Sequence, residues 1–165
     1  MFTLNPHTDI YKDLDKSIVI CDEYHPELLR EAQEINKLTD NKFDFLFISD
    51  DMVGNSIKND REITRCLTVG RNAGQSSLHS FQGRTLMNSV GRNNLNITCI
   101  LKQQTPQEWC AVIKEFLSMW LPPGMTMAEM IRYCQEATAD HQFFCIDNLK
   151  GECYITKLSP SQAGL

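Results

Sequence analysis

Apolar residues along this chain come in short blocks whose spacing switches between period two and period 3.6, and the switches mark the elements. Ser17 to Cys21 (SIVIC) is short, β-branched and continuously apolar, the pattern of a buried strand. Pro26 suits a first helical turn, and Leu28, Leu29, Ala32, Ile35 and Leu38 predict an amphipathic helix to about Leu38, closed by Asp40-Asn41. Phe43 to Ser49 (FDFLFIS) predicts a second strand, leaving through Asp50-Asp51 into a loop at Gly54 and Asn55. Asn59 or Asp60 is placed to cap a shorter helix that buries Ile63, Cys66 and Leu67. This strand, helix, strand, helix order permits a parallel βαβ unit.

From Gly70 to Gln82 the apolar pattern lapses, and a long exposed loop is the expectation. Leu86 to Val90 reads as a helical turn and Leu95 to Leu101 as a third strand. Thr105, Pro106 and Glu108 then form a capping-box signature. Trp109, Val112, Ile113, Phe116, Leu117 and Trp120 follow on one broad apolar face, stopped by Pro122-Pro123-Gly124. Thr126 and Glu129 repeat the cap before Met127, Met130, Ile131 and Cys134, a helix reaching about Ala139. Phe143 to Ile146 and Cys153 to Leu158, with Asp147 to Gly151 between them, predict an antiparallel hairpin. The expected fold is α/β: one domain over residues 1–165, with a mixed central sheet of about five strands and flanking helices.

Composition narrows the class. With 165 residues and 42% hydrophobic content the chain is long enough for one core, and no run approaches the roughly 20 apolar residues that span a bilayer. Residues 1–20 hold three aspartates and lack the basic region and apolar run of a signal peptide. Seven cysteines, an odd number without a C-x-x-C pair, suit reduced thiols and a cytoplasmic setting better than a disulfide framework or a metal site.

Charge gives the functional hint. No Asp or Glu occurs between Glu62 and Glu108, whereas Arg65, Arg71, Arg84, Arg92 and Lys102 do. Four of the eight glycines, Gly70, Gly74, Gly83 and Gly91, fall in the same window. Glycines let backbone N–H groups turn toward an anion, and arginine offers a planar fork to phosphate or carboxylate. Arg71, Ser77, His79, Arg84 and Arg92 are therefore the candidate ligand-binding residues. The segment is neither a dinucleotide fingerprint nor a phosphate-binding loop of the Gly-x-x-x-x-Gly-Lys type, since GRNAGQSS has no lysine. Nucleic acid is a weaker fit, because the positive patch is small against an acidic remainder.

Two catalytic patterns are also present in outline. Ser77 to Asn88 (SLHSFQGRTLMN) resembles the S-x-H-x-x-G-x-A-x-D stretch of zinc D-alanyl-D-alanine peptidases, a likeness that implies His79 as a metal ligand. One extra residue separates His79 from Gly83, and Asn88 stands where the carboxylate belongs. A thiol hydrolase would take Cys21 as nucleophile, His141 as base and Asp147 or Asn148 as orienter. Separately, Glu27, Glu31 and Glu34 at helical spacing predict an acidic face fit to steer a basic partner. The reading these patterns favour is a small intracellular binding or interaction protein. It would have an acidic body, no cofactor and no metal, with a protein or a phosphorylated small ligand as partner. The alternative is a hydrolase or transferase acting on a nucleotide or phosphorylated substrate.

Overall fold

The computed structural model describes residues 1–3, 7, 9–15, 18–50, 60–83 and 87–157. The expected loop at Gly54 and Asn55, Asn59 as a cap, the candidate Arg84, Leu86 at the start of the helical turn, and the final residue of the last strand lie outside them. The chain divides into two compact units, Met1–Asn94 and Leu95–Leu165. The α/β class is as expected. The strands, however, pair as two three-stranded sheets, one parallel and one antiparallel, rather than as one mixed sheet of about five.

In the first unit β1 (Phe2–Thr3), β2 (Phe45–Asp50) and β3 (Gln75–His79) lie side by side in that order, all parallel. Of the buried strand expected at Ser17 to Cys21, Ser17 lies outside the described residues and residues 18–20 form no strand. Cys21 alone bridges Phe2, its carbonyl accepting from Thr3 N at 3.0 Å, and Val19 is 69% exposed. Two residues of β1, too few to register as a pattern, take the place beside β2. The loop expected over Gly70 to Gln82 is instead a 3-10 turn (Gly70–Ala73) followed by β3. Parallel pairing with β2 supplies backbone hydrogen bonds that a polar sequence satisfies as well as an apolar one.

Helices α1 (Pro26–Leu38) and α2 (Arg61–Val69) cover one face of this sheet. Asp60 caps α2, accepting from Glu62 N at 2.8 Å and Ile63 N at 2.9 Å, and Ile63 and Cys66 are buried as the spacing predicts. Helix α1 has the predicted ends but is rolled about its axis. Leu29, Gln33 and Asn36 face inward while Ile35 and Leu38 face solvent. The cause is hydrogen bonding. Asn36 Nδ2 donates to Phe43 O (2.6 Å) and Ala73 O (2.5 Å), and Asn36 Oδ1 accepts from Phe43 N (2.9 Å). Gln33 Nε2 donates to Gln75 Oε1 at 2.7 Å. Phe2, Leu29, Phe47, Ile63 and Cys66 form the apolar core around these polar groups. A short helix α3 (Ser89–Asn93), capped by Asn88, packs on α2 so closely that a Cβ on Gly91 would come within 2.9 Å of Leu67 Cδ1.

In the second unit β4 (Ile97–Ile100), β5 (Phe143–Asp147) and β6 (Glu152–Thr156) form an antiparallel sheet in that order. Helix α4 (Pro106–Val112) continues through a π-helical turn (Ile113–Leu117), in which Ser118 N reaches Ile113 O at 2.8 Å, and α5 spans Met127–Ala137. Both predicted capping boxes form: Thr105 N donates to Glu108 Oε2 at 3.0 Å and Thr126 N to Glu129 Oε2 at 2.7 Å. Trp109, Ile113, Leu117 and Cys134 are fully buried against Ile100, Phe144 and Ile146. No helix among the described residues is long and apolar enough to cross a membrane.

Removing Asn36 takes the partner from one buried and two part-buried backbone groups, so Asn36→Ala is expected to cost about 2–4 kcal/mol. Gly74 has φ +63°, and a Cβ there would meet Asn36 Nδ2 at 2.6 Å and Phe43 O at 2.7 Å, so Gly74→Ala should be comparably destabilising. Urea denaturation measures both. A loss below about 1 kcal/mol for Asn36→Ala would mean that water replaces the side chain at little cost.

Candidate functional site

The register of β2 against β3 sets Ser49 opposite His79 at the carboxyl ends of the two strands. There Ser49 Oγ and His79 Nδ1 lie 2.7 Å apart, a hydrogen bond whose donor depends on the imidazole tautomer. The His79 ring stacks on Phe81 (centroids 5.7 Å apart) and meets the edge of Phe47 at 5.3 Å. Its Nε2 is buried without a hydrogen-bond partner among the described residues. Burial in this aromatic setting pushes the imidazole down to about 4, so it is neutral near pH 7.

One residue beyond Ser49, Asp50 ends β2 on the other face of the sheet, the face turned away from α1 and α2. The Tyr11 hydroxyl donates a hydrogen bond to Asp50 Oδ2 and lies 3.4 Å from Thr3 Oγ1. Tyr11 and Leu14 thus cover the strand ends and enclose a cavity of about 370 Å³, open to solvent. Its walls are Met1, Tyr11, Leu14, Ile48 and Leu78, with Ser49, Asp50, His79 and Ser80 contributed by the carboxyl ends. The site therefore combines an apolar wall with one carboxylate and the Tyr11 hydroxyl, while the buried His79 imidazole lies on the helix-covered face.

Of the residues singled out from the sequence, His79 lines this cavity. Ser77 is on the same strand face as His79, two residues away, and is not among the lining side chains. Arg71 lies in the turn before β3, at the end of the strand opposite to His79; the strand itself spans about 13 Å. Arg92 is on α3, its guanidinium donating to Met87 O. Asp50, Tyr11 and Leu14 share no sequence pattern that would group them. Asp50 carried a visible signal, an acidic residue at the exit of a strong strand, whereas Tyr11 sits in a segment without apolar periodicity.

The other two catalytic patterns do not assemble. Asn88 accepts from Gly91 N at 2.8 Å and donates to Thr64 Oγ1 at 2.7 Å, the work of a helix cap. No group of three or more His, Cys, Asp or Glu side chains placed to hold a metal occurs among the described residues. His141 and Asp147 flank β5 at opposite ends. Asp147 Oδ1 accepts the Leu149 and Lys150 amides, and Asn148 Nδ2 donates to Leu95 O at 2.7 Å, so neither orients the imidazole. Glu27, Glu31 and Glu34 are exposed on α1, as the spacing predicts.

The neutral His79 makes stability pH-dependent with a definite sign. Unfolded, the imidazole takes up a proton below about pH 6.5, while the folded state resists protonation to about 4. The unfolded state then binds more protons, so stability is full above about 6.5 and falls between about 6.5 and 4, by roughly 2–3 kcal/mol. Denaturation of wild type and His79→Gln across this range should show the fall attenuated in the variant. Equal slopes would mean that His79 titrates normally.

No family model matches the chain, and no curated protein does. Solved structures share its fold. The genome packaging NTPase B204 from Sulfolobus turreted icosahedral virus 2, in complex with AMPPCP, is 13% identical, with a TM-score of 0.61 over 92% of this chain and 74% of that one. The same NTPase in complex with AMP gives 15% identity and a TM-score of 0.60, covering 92% and 71%. B204, the DNA-packaging ATPase from Sulfolobus turreted icosahedral virus, gives 10% identity and a TM-score of 0.61, covering 96% and 83%. At these identities the likeness is one of fold alone: this chain shares the fold of the B204 structures.

Proposed function

We propose that this protein binds a nucleotide as its magnesium complex in the cavity at the carboxyl end of the parallel sheet, and that its reaction class is phosphoanhydride hydrolysis. The observation that carries the reading is the coincidence of that cavity with Asp50 at the end of β2. In open α/β sheets ligands bind outside the carboxyl ends of the strands. The packaging NTPases that share the fold were solved with AMP, AMPPCP and ATP-gammaS, which supports a nucleotide over other phosphorylated ligands.

Charge dictates the need for a cation. Asp50 alone would repel a triphosphate, and the described residues hold no protein-only metal cage. Magnesium typically binds through one or two carboxylates plus substrate phosphates, and Asp50 fits that role. Bound there, the ion would neutralise phosphate charge. The Tyr11 hydroxyl holds the Asp50 carboxylate in place, and Ile48, Leu78 and Leu14 offer an apolar wall to the base.

Titration with a fluorescent ATP analogue tests this directly, with phosphate release measured in parallel. Binding should require magnesium, and Asp50→Asn should weaken it by at least about tenfold, roughly 1.4 kcal/mol. Tyr11→Phe should weaken it less. Absence of binding in magnesium, or binding unchanged by both chelator and Asp50→Asn, would overturn the assignment.

A further inference from the structure

We propose that Cys99 and Cys145 form a reversible disulfide between β4 and β5, with Cys99 as the thiol that meets the oxidant. The proposal uses residues of the second unit only and stands apart from nucleotide binding. The ladder itself makes the case. Ile97 pairs with Asp147, Thr98 with Ile146 and Cys99 with Cys145. One step outside this register, Asn148 N donates to Asn96 O at 2.8 Å, which makes 96 and 148 a hydrogen-bonded pair. Hydrogen-bonded and non-hydrogen-bonded pairs alternate along an antiparallel ladder. Thr98 and Ile146 are therefore hydrogen-bonded, and Cys99 and Cys145 are not. Non-hydrogen-bonded pairs bring Cα atoms to about 4.5 Å, within the roughly 4.4–6.8 Å that a disulfide spans. As directly opposed residues, the two side chains leave the sheet on the same face.

Their surroundings assign the roles. Cys99 is exposed and Cys145 is 7% exposed, so an oxidant reaches the first and the second resolves. Cys153 pairs with Ile146, on the opposite face, where it packs with Cys134 in the apolar core. The Cys99 thiolate attacks one sulfur of a low-molecular-weight disulfide such as oxidised glutathione, forming a mixed disulfide and releasing one glutathione thiolate. The Cys145 thiolate then attacks the Cys99 sulfur, closing the protein disulfide and releasing the second. In sum two protein thiols lose two electrons and two protons, and one glutathione disulfide becomes two glutathione molecules. The bond would tie edge strand β4 to the central strand across 46 positions of sequence that include both helices of the unit.

The full chain is incubated with oxidised glutathione, alkylated under denaturing conditions and digested with trypsin. Partial desolvation at the sheet surface and the neighbouring thiol push Cys99 up to about 11, so exchange is run for hours at about pH 8.5. The expected product joins peptide 93–102 to peptide 133–150 and disappears on reduction. Peptide 133–150 carries Cys134 as well as Cys145, so fragmentation assigns the partner, and Cys134→Ser should keep the link. Cys99→Ser, an exposed change, should abolish it without loss of fold. Recovery of Cys99 only as free thiol or glutathione adduct, or a link through Cys134 or Cys153, would overturn the proposal.

Discussion

Two parallel strands that begin side by side leave carbonyl and amide groups at their amino ends that no ladder satisfies, and here one side chain, Asn36, answers three of them. Because an unmet buried group costs about 1–3 kcal/mol, this amide outranks the apolar residues that the spacing of α1 would otherwise turn inward. Gly74 is shaped by the same contact: its left-handed turn lets the chain pass against Asn36 and enter β3. From that start the register runs without choice to the other end, where it opposes Ser49 to His79 and leaves Asp50 beside the Tyr11 hydroxyl. The two ends of the strands thus differ, one fixing alignment and one lining the cavity.

The second unit reaches order by shorter routes. Its two capping boxes each close within four residues, and its hairpin is set by Asp147 accepting the turn amides and by Gly151 at φ +68°. These devices are written locally, which is why the helices at Pro106 and Met127 and the strands at Phe143 and Glu152 could be placed from sequence within a residue or two.

What could not be read in advance depended on distant partners. Strand β3, with Leu78 as its one strongly apolar residue, looks like a loop until β2 is known to lie beside it. Two-residue β1 has no periodicity to detect, and the rotation of α1 follows from backbone groups at Phe43 and Ala73. For the site, the acidic exit of β2 was visible in FDFLFISDD, whereas the charge asymmetry drew attention to arginines. Charge along a sequence carries no information about direction in space, and Arg71 lies at the wrong end of β3 to meet His79. Cysteine pairing was likewise invisible, since only the ladder brings residues 99 and 145 together.

The π-helical turn after α4 reconciles two incompatible periods. Trp109, Ile113, Leu117 and Leu121 recur every four residues, and all four are buried. An α-helix of 3.6 residues per turn would carry such a series about 40° around its axis at each step, so the last of them would face well away from the first. The wider turn at Ile113–Leu117 rotates the series back. It acts as a vernier, sliding one scale against another until the marks coincide, and lets a stripe of large side chains remain straight where a uniform helix would wind it off the sheet.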